Sequence, residues 1–160
     1  MKKTLVIGYG NTLRGDDGAG IRAAEAIAAG FPEMECLCSH ELQMEMSETI
    51  SHFQDVFFLD ASATARSLIC RPLEPARANE PLGSHAVSPE YLLFFCKQLY
   101  QRTPLRSTLI EIPAFQFDFC EKLSAATARM VNECFEAVGR LSGSRGHAAA
   151  PAPGTGAVRE

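Results

Sequence analysis

Four consecutive apolar residues, Val56-Phe57-Phe58-Leu59, stand between two aspartates, Asp55 and Asp60. A strand with one face in water alternates apolar and polar residues. This run does not alternate, so it reads as a strand over 55–60 buried on both faces. Such a strand needs helices packed above and below it. It therefore demands a sheet at the centre of the domain, and an α/β class of fold.

The rest of the chain meets that demand. Residues 4–8, Thr-Leu-Val-Ile-Gly, read as a central strand entering a tight loop at Gly8-Tyr9-Gly10-Asn11. Residues 17–29 carry Ile21, Ala24, Ile27 and Ala28 at helical spacing, with Asp16 or Asp17 as the N-cap and Gly30 closing the run before Pro32. Residues 34–39 read as a strand, 43–53 as a short helix, and 67–73 as a further strand. Residues 74–84 hold prolines and glycine without periodicity and read as a loop. Ser88-Pro89-Glu90 starts a helix whose apolar side is marked by Leu92, Leu93, Cys96 and Leu99. Residues 107–112 form a strand stopped by Pro113. Residues 121–141 form a last helix with Leu123, Ala126, Met130, Cys134 and Val138 in register. The order βαβαββαβα predicts a mainly parallel sheet with helices on both faces, and functional residues at the carboxyl ends of its strands.

The chain has 160 residues, enough for one domain and too few for separate cofactor and substrate lobes. Residues 1–141 are read as that single domain. Residues 142–160, rich in Gly, Ala, Pro, Ser and Arg, are read as a disordered tail. There is no internal repeat. The net charge of −4 gives no basic excess for phosphates, so nucleic acid is not an expected partner. No apolar run approaches the roughly 18 residues that span a bilayer. The start, Met-Lys-Lys-Thr-Leu-Val-Ile-Gly, lacks the features of a signal peptide, so a cytoplasmic location without a membrane partner is expected. Six cysteines (Cys36, Cys38, Cys70, Cys96, Cys120 and Cys134) include no C-x-x-C pair, and are expected to be buried, reduced thiols.

Gly8-Tyr9-Gly10-Asn11-Thr12-Leu13 begins like a dinucleotide-binding loop, but Leu13 stands where a small residue is needed. The ribose-binding acid is also missing near the end of the second strand, and Asp16-Asp17 would repel a pyrophosphate. One aspartate suffices to cap the helix, leaving the other free to point across the loop. Asp60 closes the buried strand, where a carboxylate needs a partner, backbone N–H groups or a cation. His85, just before a helix, reads alone as a surface histidine. Taken together, two carboxylates and an imidazole on loops at one sheet edge make an oxygen/nitrogen metal site with open positions. His40 is a weaker candidate. No serine or cysteine stands beside a histidine in a recognisable nucleophile motif, so acyl-enzyme chemistry has no support.

The run from Gly8 to Gly20, GYGNTLRGDDGAG, resembles the opening motif of the hydrogenase maturation protease family. Ser39 to Met46, Phe57 to Ala61, Ser84 to Leu93 and Ile112 to Phe117 resemble later segments of that family in the same order, so the likeness spans about residues 3–138. It departs at Glu41, where glutamine is common, and at Met44, where proline is common. The resemblance implies a three-layer α/β/α sandwich with a twisted, mainly parallel five-stranded sheet. It implies an aspartic-type endopeptidase, acting as a monomer, that removes the C-terminal extension of a nickel–iron hydrogenase large-subunit precursor after nickel insertion. The resemblance further implies that Asp17, Asp60 and His85 are the catalytic and metal-binding residues, that the nickel comes with the substrate, and that Asp16 caps the helix. The alternative is a module that recognises the nickel site without cutting.

Overall fold

A computed structural model of the chain describes residues 2–79 and 87–144. Five strands form one sheet: β1 (Lys2–Tyr9), β2 (Glu35–Ser39), β3 (Phe53–Ser62), β4 (Ile69–Pro72) and β5 (Arg106–Pro113). Their spatial order is β2-β1-β3-β5-β4. All pairings are parallel except that of β4 with β5, which closes the edge antiparallel. Helices α1 (Ala19–Gly30) and α4 (Ala125–Ser142) cover one face, and α2 (Met46–Ile50) and α3 (Pro89–Tyr100) cover the other. This is the expected three-layer α/β/α sandwich.

The central strands are buried on both faces, as the unbroken apolar run requires. Val6, Phe57, Leu59, Ile110 and Ile112 pack towards α1 and α4. Leu5, Ile7, Val56, Phe58 and Leu109 pack towards α2 and α3. The chain leaves β1 for β2 on one side and returns to β3 on the other, so the strand order reverses between β1 and β3. In sheets of this kind the carboxyl ends of the strands at such a switch point border the crevice where ligands usually bind. Helix α1 approaches this crevice closely because Gly20 has no side chain: a Cβ there would strike the Leu59 carbonyl and lie 2.8 Å from the Tyr9 carbonyl.

Several details differ from the sequence reading. The segment after the first loop is a short 3₁₀ turn, Gly15–Gly18, and α1 begins only at Ala19, with Gly18 at its N-cap and no side chain capping it. Helix α4 begins at Ala125 rather than 121, because Ser124 caps it by accepting from Thr127 N–H. Leu99, placed on the apolar side of α3, is exposed, since that helix buries only the stripe holding Leu92, Leu93 and Cys96. The expectation of buried thiols holds for Cys96 and Cys134, with Cys36 half-buried. Cys38, Cys70 and Cys120 are exposed, the first two on the edge strands β2 and β4 and the third in a loop. All six thiols are free. Helix α4 ends at Ser142 against a left-handed Gly143, and residues 145–160 of the expected tail lie outside the described residues.

Candidate active site

Side chains alternate along a strand, so register decides which ones meet. On β1, Leu5 and Ile7 face α2 and α3, which places Tyr9 on that face. On β3, Val56 and Phe58 face the same way, which places Asp60 there. Gly8 pairs with Leu59, so Tyr9 and Asp60 follow as neighbours at the carboxyl ends of β1 and β3. Asp60 pairs in turn with Glu111 on β5. Tyr9, Asp60 and Glu111 thus form a row across the crevice, all three half-buried.

Asp17 reaches the same place from the 3₁₀ turn. Its Oδ2 accepts from Asn11 N–H at 2.9 Å, which folds the carboxylate back across the glycine loop. Gly10, at φ 138°, permits this: a Cβ there would collide with the Asp17 carbonyl. Burial pushes the Asp60 carboxyl up to about 6, and the negative charges of Asp17 and Glu111 act in the same direction. The Tyr9 hydroxyl, directed at Asp60, and the Ala61 N–H favour the charged form and oppose the rise. Burial and the neighbouring Asp60 hold the Tyr9 phenol well above its ordinary range, so it stays protonated and able to donate.

Asp16 is not the cap of α1. It is fully buried, at 0% exposure. Its Oδ2 accepts from Phe115 N–H at 2.8 Å, Gln116 N–H at 3.0 Å and the Ser124 hydroxyl at 2.8 Å, and its Oδ1 accepts from Ser124 N–H at 2.7 Å. Burial alone would raise its carboxyl, but these four donors outweigh burial and lower it. The adjacent aspartates therefore do different work: Asp16 faces inward and fastens the 114–124 loop, while Asp17 faces the crevice.

Asp17 lies near enough to Asp60 for its charge to act on that carboxyl. His85 lies outside the described residues. His40 is exposed; its backbone carbonyl accepts from Gly10 N–H, and its imidazole has no assigned role. Among the described residues no three His, Cys, Asp or Glu side chains form a metal-holding group. The donor chemistry of the two carboxylates still suits a divalent cation, which would relieve their mutual repulsion. Tyr9 and Glu111 were missed from sequence. The signal was present in the alternation, since each stands two residues beyond an apolar residue of known facing, but it needs the strand order to be read. A cavity of about 590 Å³ lies at the opposite end of the sheet, lined by residues including Leu73, Lys97, Arg102 and Ser107, away from Asp17 and Asp60.

No protein-family model matches the chain, and no curated protein matches it. Solved structures do resemble it. The hydrogenase maturating endopeptidase HybD from E. coli is 19% identical and superposes with a TM-score of 0.68, covering 90% of this chain and 96% of its own. A hydrogenase 2 maturation peptidase from a Thaumarchaeota archaeon is 23% identical, with a TM-score of 0.66 and coverages of 90% and 100%. The [NiFe] hydrogenase maturation protease HycI from Thermococcus kodakarensis is 19% identical, with a TM-score of 0.67 and coverages of 89% and 94%. The chain shares their fold over almost its whole described length.

Proposed function

We propose that this chain is a processing endopeptidase of the hydrogenase maturation family. It removes the C-terminal extension of a nickel–iron hydrogenase large-subunit precursor once nickel has been inserted. The observation that carries the reading is the meeting of Asp17 and Asp60 in the crevice of a fold shared with solved hydrogenase maturation endopeptidases. A protein fold alone would not specify chemistry. Two carboxylates at the switch point of the sheet, at positions that resemble that family's motif, are what support this reading.

In this reading the nickel belongs to the substrate. Asp17 and Asp60, with His85 as the third ligand, meet the ion that the precursor already holds. Oxygen and nitrogen donors suit a divalent first-row metal whose other ligands are thiolates. A metal held there polarises the scissile carbonyl or lowers the pKa of an attacking water. A precursor without nickel offers the three side chains nothing to bind, so metal insertion precedes cutting. Tyr9 keeps Asp60 oriented by donating to it, and the Ala61 N–H supports the same carboxylate. In this reading the protein works as a monomer in the cytoplasm.

The test is mass spectrometry of a large-subunit precursor incubated with the protein, with and without nickel loading. Shortening only of the loaded form is expected, lost in Asp60→Asn and in His85→Gln. Binding without any change of mass would overturn the peptidase reading in favour of a recognition module.

A further inference from the structure

The 114–124 loop carries an exposed apolar surface beside the crevice. Phe119 is 87% exposed, Phe115 52% and Leu13 44%. Single exposed apolar residues need no explanation, but backbone bonds set Leu13 beside Phe119, and Phe115 is fastened to the same turn through Asp16. Arg14 and Cys120 form a parallel bridge, which places Leu13 beside Phe119. Cys120 N–H donates to Leu13 O at 2.9 Å, and Gly15 N–H donates to Cys120 O at 2.6 Å. Phe115 is pinned through its own N–H to buried Asp16. The aromatic side chains are therefore not loose residues of a slack loop. A buried carboxylate with four donors fixes the backbone that holds them in water.

The surface is continuous with the candidate site. Leu13 N–H donates to Asn11 Oδ1 at 2.9 Å, and Asn11 N–H donates to Asp17 Oδ2 at 2.9 Å. Leu13 and Asp17 belong to one hydrogen-bonded loop, so a protein that presents a metal to Asp17 comes within reach of Leu13. A free ion or a small chelate would gain nothing from apolar surface. A protein would, because buried aromatic side chains supply much of the energy of protein interfaces.

From this we infer that Leu13, Phe115 and Phe119 are a docking surface for the protein that presents the metal, and that they bind an apolar patch of that precursor flanking its metal site. The inference rests on the reading given above and names how its substrate is held. Docking through this surface selects a folded protein carrying nickel over nickel in any smaller form.

The experiment uses the full chain and purified nickel-loaded large-subunit precursor. Because Phe119 is almost fully exposed and Phe115 about half so, Phe115→Ser with Phe119→Ser should change the melting temperature little. The double variant should raise KM, or Kd if the precursor binds uncut, by at least about tenfold, as loss of interface aromatics does. Its kcat at saturation should stay that of the wild type. Leu105→Ser, at an exposed leucine beside the distant cavity, should change neither. Unchanged KM and Kd in the double variant, with a wild type that cuts or binds, overturn this inference alone. A wild type that neither cuts nor binds the precursor overturns both readings. A free protein that dimerises by sedimentation, and that the double variant returns to monomer, assigns the surface to a second copy and also overturns the inference.

Discussion

Asp60→Asn removes a charge from the crevice while keeping the shape of the side chain, and its effect on stability can be worked from the site. In the folded protein the carboxyl is raised from 3.8 to about 6, first by burial and then by the charges of Asp17 and Glu111. At about 1.4 kcal/mol per pKa unit, that difference sets an upper bound of about 3 kcal/mol. Asp60 is partly open to water, which screens the charges, so about 1–2 kcal/mol is expected. The folded pKa lies above the unfolded one, so the folded protein holds this proton more tightly. The stability that Asp60 contributes is complete below pH about 4 and is lost as pH rises through about 6. The variant should therefore equal the wild type near pH 4 and exceed it by about 1–2 kcal/mol near pH 7.5. Urea unfolding of both proteins at the two pH values checks this. A variant less stable than the wild type at neutral pH, or a difference of the same size at both pH values, would refute the reasoning. Precursor cleavage should be lost in this more stable protein, as expected where an active site holds an unfavourable charge.

Asp16→Ala should cost about 2–3 kcal/mol in denaturant unfolding, because three partly buried backbone N–H groups and the Ser124 hydroxyl lose their acceptor. Donors lower the Asp16 carboxyl despite its burial, so its contribution is present above the unfolded value of 3.8 and lost as pH falls through the folded one; the variant should lose that acid dependence. Gly20→Ala should destabilise by about 1–3 kcal/mol, since the new methyl meets the Leu59 and Tyr9 carbonyls rather than movable side chains; a shift of the Tyr9 and Asp60 NMR signals would accompany it. In native protein a thiol reagent should reach Cys38, Cys70 and Cys120, the first two slowed because partial burial raises their thiol pKa, and reach Cys96 and Cys134 only after unfolding, as site-resolved mass spectrometry can check.

What could be read from sequence follows from which interactions are local. The double-sided burial of Val56 to Leu59 is written in consecutive residues, and a strand with two apolar faces leaves few architectures open. The Ser88-Pro89 start of α3 is also local, and Ser88 does accept from Tyr91 N–H. Asp16 and Asp17 show the limit. Side by side at the start of a helical pattern, they read as interchangeable candidates for a cap and a ligand. The structure separates them through partners that no spacing encodes: for Asp16, the backbone of residues 115, 116 and 124. Those donors come from a loop without periodicity, so no pattern in the chain announces them. Tyr9 and Glu111 are an intermediate case. Their facing follows from period-two alternation, but their meeting with Asp60 depends on β1, β3 and β5 being neighbours, which chain order does not give. The same fact explains why one aspartate can be placed precisely enough to serve the site. Asp16 fixes the turn from its buried side, and the next residue in that turn is then held facing the crevice, where Asn11 N–H fixes its carboxylate.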